Sequence, residues 1–361
     1  MDVHGLDELL SEAYSMPDGQ AKLLLLEEAA RIADNLNDID RGYDIRTDII
    51  YQGVFSGYAM NAIVAFSWCL AQFDKDPERY SSYDLLWEYK WILGHVDDFP
   101  DIPLNKADEI FEDMRRRYLE YGASLRPYYS LKCRHMMKLG QKVEAEEFYT
   151  KWINASRDYL NDCTACDLDN EIEYMIYIGD YEKALEMAKP ILSNQLKCGE
   201  VPHITYHKFL IPLLKLGKKE EAQQMHDKGY KLINKNREFI AEVSNHMIYL
   251  TITDPQKALS VFESHFQWAY ETLSLYRKFL FYLASWVLFL KLKSIGYEDI
   301  KLRLQNECDI VNVFNIKDMD GVLNWFEKET RDLAIKFNSR NGNDYFNEII
   351  KERLRLAELA I

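Results

Sequence analysis

Cys163-Thr164-Ala165-Cys166 is the segment of this chain whose residue types and spacing point most directly to chemistry. Cys198 follows Cys166 by 32 residues, and Pro202-His203 comes just after it. The first pair sits where a helical pattern begins, and Cys198 lies just past the end of the next helical segment. In a helical hairpin those two places share one end of the pair. The hairpin therefore brings three sulfurs together, and the next one opens beside them at His203. Three thiolates and an imidazole form a common structural zinc set, tetrahedral and closed. The expected metal ligands are Cys163, Cys166, Cys198 and His203, with His207 one turn on as an alternative or supporting nitrogen. Two other readings stay open. A Cys-x-x-Cys at a helix N-terminus can do redox chemistry, because that position lowers a thiol pKa; here Asp162, Asp167 and Asp169 oppose the shift, and no thioredoxin-like strand pattern accompanies the pair. The third reading is small cysteines packed between helices. Cys69, Cys133 and Cys308 are scattered and read as core residues.

Other chemistry is not signalled. The chain has no phosphate-binding Gly-x-x-x-x-Gly-Lys, no dinucleotide Gly-x-Gly-x-x-Gly after a strand, no Gly-x-Ser-x-Gly and no His-Glu-x-x-His. A catalytic zinc keeps an open position and a nearby base, whereas four protein ligands would fill the site. A metal-dependent enzyme built on the cysteines is therefore the least favoured class. Arg115-Arg116-Arg117 is interleaved with Glu109, Glu112, Asp113 and Glu120 and reads as a solvated, ion-paired helix face.

The elements that position the cysteines repeat along the chain. Ala21, Ala62, Ala107, Ala145, Ala184, Ala222 and Ala258 fall at equivalent places in helix-turn-helix patterns, and the last four intervals are 38, 39, 38 and 36 residues. Such a period is the signature of stacked helical hairpins. In residues 166–193, Ile172, Met175, Ile176 and Ile178 form an apolar stripe at helical spacing, Gly179-Asp180 breaks it, and Tyr181, Ala184, Leu185 and Ala188 begin a second. Gly140, Gly217 and Asp254-Pro255 mark the corresponding turns, the proline suiting a first helical position.

The turn glycines at 140, 179 and 217, Tyr181 and the alanines at 145, 184, 222 and 258 resemble the tetratricopeptide repeat (TPR), in a divergent bacterial-type form. Its units are longer than the family period of about 34 residues. The resemblance implies an all-α fold, a right-handed α-solenoid of TPR-like hairpins, with a weakly repeat-like N-terminal helical bundle over 1–95, repeats over 96–291 and C-terminal capping helices over 292–361. The caps are expected near 318–338 and 343–358, and 96–104 reads as an inserted loop. The resemblance also implies a concave groove lined by first-helix side chains: Ser130, Arg134 and Lys138, then Asp169, Glu173 and Tyr177, then His207 and Lys215. This polar, mixed-charge strip suits a protein or peptide partner.

The net charge of −15 repels phosphate backbones and anionic lipids, so neither nucleic acid nor a membrane is expected as partner. Residues 1–60 alone hold twelve acidic against four basic side chains. The acidic N-terminus lacks the features of a signal peptide. The apolar run from Phe279 to Leu292 is too short to span a bilayer, and six cysteines in a chain of 361 do not suggest a disulfide framework. A cytoplasmic, reduced protein is expected. The leading functional reading is a non-enzymatic binding scaffold. A peptide-responsive bacterial regulator, which joins a helical bundle to TPRs, shares the layout.

Overall fold

Helices follow one another through the described residues because apolar residues recur at helical spacing and local side chains cap the ends. Side-chain oxygens of Asp38, Ser81, Asp180, Asp254 and Ser274 each accept a backbone N–H three residues on, satisfying donors that a helix start leaves open. The computed structural model describes residues 3–299, 302–304 and 319–358, and these contain no β-strand. Cys308 and most of the patternless stretch after Gly296 lie outside the described residues. The helices are α1 Val3–Ser15, α2 Gln20–Asn35, α3 Ile39–Phe55, α4 Ala59–Phe73, α5 Ser82–His95, α6 Leu104–Glu120, α7 Arg126–Leu139, α8 Lys142–Asn154, α9 Thr164–Ile178 and α10 Tyr181–Leu192. They continue as α11 His203–Tyr206, α12 Leu210–Lys215, α13 Lys219–Ile233, α14 Ile240–Thr253, α15 Pro255–Glu271, α16 Leu275–Ser294, α17 Met319–Asn341 and α18 Tyr345–Ala357. The last two match the expected C-terminal helices. Among the described residues no helix is long and apolar enough to cross a membrane.

The alanine pattern has a structural counterpart. Ala62, Ala107, Ala145, Ala184, Ala222 and Ala258 are each the fourth residue of their helix, and all are buried. Ala21 departs from the series. It is the second residue of α2 and exposed, while Leu23 takes the buried fourth position. Gly140, Gly179 and Gly217 all have positive φ, the conformation that ends one helix and turns into the next. Gly57 does the same between α3 and α4, five residues before Ala62. The N-terminal region thus contains a hairpin in the same register. Close approach needs small residues there: a Cβ on Gly53 would stand 2.9 Å from the Ala62 Cβ.

Consecutive helices pack as pairs, and α5 with α7, α7 with α9 and α14 with α16 pack across pairs. Two apolar cores result, one running from Leu6 to Leu160 and one from Cys133 to Leu356, with Tyr129 and Phe148 packed against both. The stripe on α9 buries Ile172 and Met175 but leaves Ile178 53 % exposed at the turn.

The C-terminal helices pack on α16 and also reach far back along the chain. Tyr345 covers the α7–α8 turn so closely that a Cβ on Gly140 would collide with its ring. Asn343 donates to the Leu139 carbonyl at 2.8 Å, and Lys215 pairs with Glu352 at 3.3 Å. The segment expected as an inserted loop is tucked in as well. Val96–Asp98 forms a 3₁₀ turn whose two aspartates are 3 % exposed.

Candidate functional site

Cys163 caps the N-terminus of α9, its sulfur accepting the Cys166 N–H at 3.4 Å. That geometry aims Cys166, one turn on, to the same side. Cys198 arrives from the segment after α10, held by its N–H on the Val201 carbonyl at 2.9 Å. The three sulfurs lie within 4.8 Å of one another, with Cys166 and Cys198 2.9 Å apart. All three are free thiols, Cys163 exposed and the other two half-buried. Sulfurs around a tetrahedral zinc stand about 3.8 Å apart for bonds of about 2.3 Å, so small side-chain rotations suffice to admit an ion. Three cysteines can therefore hold a metal ion.

The loop that delivers Cys163 is anchored from another hairpin. Lys90 on α5 is nearly buried, lies over the Trp87 ring, and donates to the Leu160 carbonyl and the Asp162 carboxylate, both at 2.8 Å. Asp167 is also spoken for: it accepts from Arg126 Nη2 at 2.8 Å, from Trp152 Nε1 at 3.1 Å and from Arg157. The carboxylates expected to raise the thiols are thus tied to cations. Burial raises the Cys163 thiol, but the backbone N–H of Cys166 and the neighbouring thiols outweigh it and hold Cys163 below its usual value. Burial and then Cys198 push Cys166 far up.

His203 does not join the cluster. Its donor atoms are not among those lying within 4.8 Å of one another. Its ring stacks on Phe239 with centroids 6.2 Å apart, and Nδ1 is buried without a hydrogen-bond partner among the described residues. His203 opens α11. His207 does not join the cluster either: it accepts from the Asn245 amide at 2.9 Å and faces Glu242 at 4.0 Å. Burial, then Lys208, pushes it down to about 3.

The strip expected to line a groove divides into two kinds of residue. Asp169 is fully buried and binds Thr205 Oγ1 at 2.6 Å and Lys208 Nζ at 2.7 Å, tying α9 to the next hairpin. Ser130 is buried too, and Lys138 is held by the Gly94 carbonyl and Asp98. Lys215 is occupied by Tyr181 and Glu352. Asp169 and Ser130 are thus buried within the helix packing, whereas Lys215 is paired inside the chain yet stays exposed. Arg134, Glu173 and Tyr177 differ. Glu173 keeps 38 % of its side chain exposed, pairs with Lys208 at 3.1 Å, and is held at about 2, burial opposing while Lys208 and Arg134 lower it. Arg134 Nε and the Tyr177 hydroxyl are buried and find no hydrogen-bond partner among the described residues.

Sequence reasoning missed the charged cluster beside this strip. Asp97 bonds His135 Nδ1 at 2.8 Å, and Asp98 pairs with Arg277 at 3.3 Å. Arg340 approaches Asp97 at 3.6 Å. The aspartates sit in an apparent loop, and their partners are up to 243 residues away, so no local pattern announced them. The equal five-residue spacing of Gly57–Ala62 and Gly140–Ala145 could have revealed the N-terminal hairpin. No protein-family model matches the chain, and no curated protein matches its sequence.

Proposed function

We propose that the chain is a non-enzymatic helical-repeat scaffold. In this reading its TPR-like hairpins form a right-handed solenoid that holds a protein or peptide on its concave face. A zinc ion on Cys163, Cys166 and Cys198 fastens the middle of the array. The repeat reading is supported by the buried fourth-position alanine recurring in six helices and by packing between the first helices of neighbouring hairpins.

One observation carries the binding reading: Arg134 Nε and the Tyr177 hydroxyl stand buried and unpaired beside the part-exposed Glu173. An unsatisfied buried donor costs about 1–3 kcal/mol. A ligand carbonyl or carboxylate recovers that cost once a side-chain rotation uncovers these atoms, so complementarity rather than bond chemistry is the mechanism. Peptides selected from a displayed random library on the full chain should lose binding to Arg134→Glu while the variant melts as the parent does. Selected peptides that bind both proteins equally would reject the concave-face assignment.

The zinc reading rests on ligand chemistry: thiolates suit zinc, and a metal that binds only the folded arrangement adds its binding energy to stability. Protein purified without chelator should carry about one zinc per chain. Cys166→Ser should lose it and melt at a lower temperature. Well under half an equivalent of zinc would reject the reading.

A further inference from the structure

The cluster supplies three donors where zinc takes four. The carboxylates next to Cys163 and Cys166 in the sequence are engaged elsewhere. Asp162 is held by Lys90, Asp167 by Arg126, Arg157 and Trp152, and Asp169 by Thr205 and Lys208. The His203 nitrogens lie outside the group of mutually close donor atoms, its ring stacking on Phe239. Among the described residues no fourth histidine, cysteine or carboxylate joins the group. Cys163 is exposed, so the cluster has a face toward solvent.

We infer that the three-cysteine centre is an open metal site whose fourth position takes a neutral donor from outside the chain, an imidazole in preference to an anionic thiolate or carboxylate. The inference rests on the zinc reading above. Its ligand preference follows from charge. Three thiolates around a divalent ion leave one net negative charge, and the whole chain carries −15. A second anion must approach against that field, whereas imidazole brings a borderline nitrogen donor without charge. A histidine side chain of a partner has this chemistry, so the same centre that fastens the hairpin can also read a ligand.

Cobalt(II) tests this, because its visible bands report both the number of thiolates and any change in the fourth ligand. The full-length protein is stripped of metal, loaded with cobalt, and titrated separately with imidazole, 2-mercaptoethanol and acetate. The expected result is a three-thiolate spectrum that imidazole shifts to saturation at one imidazole per cobalt. At equal concentration the two anionic donors should shift it less. His203→Ala should leave the spectrum and its imidazole response unchanged, whereas Cys166→Ser should abolish the thiolate bands with the helical circular dichroism retained. A four-thiolate spectrum, a spectrum indifferent to imidazole, or one altered by His203→Ala would overturn the open position while leaving the metal site standing. Failure of the wild-type protein to bind cobalt or zinc would overturn both.

Discussion

Glu88 gives the sharpest test of how this chain packs its N-terminal half. It lies in the middle of α5, 4 % exposed, on the helix that also carries Lys90 to the cysteine loop. Burial first, and the nearby Asp84 second, push its carboxyl from 4.5 up to about 8. The folded state therefore holds a proton that the unfolded chain releases. Below 4.5 both states are protonated and nothing is lost. As pH rises from 4.5 toward 8 the unfolded state ionises first, so stability falls, and above 8 the loss is complete. With those two values the penalty is under about 1 kcal/mol at about pH 5 and about 4 kcal/mol at about pH 8. Glu88→Gln keeps the shape and removes the ionisation. The difference in unfolding free energy between variant and parent should thus move in the variant's favour by about 3 kcal/mol between about pH 5 and about pH 8. Urea denaturation followed by far-UV circular dichroism at both pH values measures it. Comparing two proteins at each pH cancels the other titrating groups, including Glu242, which burial raises to about 7, and His207. Parallel stability curves would refute the burial argument, whatever their offset.

Two further tests separate internal contacts from binding surface. Asp169→Asn removes the buried charge facing Lys208 and should cost about 3 kcal/mol, the low end for breaking a buried pair, because Glu173 remains within 3.1 Å of that lysine. Unchanged urea stability would mean that Asp169 is not the internal tie described. Ala184→Leu should overpack the α9–α10 crossing and cost about 1–3 kcal/mol, whereas Ala21→Leu, on an exposed site, should change stability by less than about 0.5 kcal/mol. Equal melting shifts for the two would show that the fourth-position register has no packing meaning.

Sequence spacing by itself determined the features that depend on local geometry. A helix repeats every few residues, so the order of apolar side chains sets which face is buried, and a left-handed glycine sets where the helix stops. Those rules placed the turns at Gly140, Gly179 and Gly217, the buried alanines from Ala62 to Ala258, and the meeting of Cys163, Cys166 and Cys198 at one end of a hairpin. Ala21 shows the limit even of local reading: a start two residues later than the pattern needed rotates the side chain to solvent. Features made between hairpins were decided only by the tertiary structure. The packing of one hairpin against the next stacks His203 on Phe239, buries Asp169 against Lys208, and leaves Arg134 Nε and the Tyr177 hydroxyl without a hydrogen-bond partner among the described residues. The return of α17 and α18 brings Arg340 to Asp97 and Tyr345 to Gly140. Such contacts depend on accumulated crossing angles over many helices, a quantity that no residue spacing along the chain records.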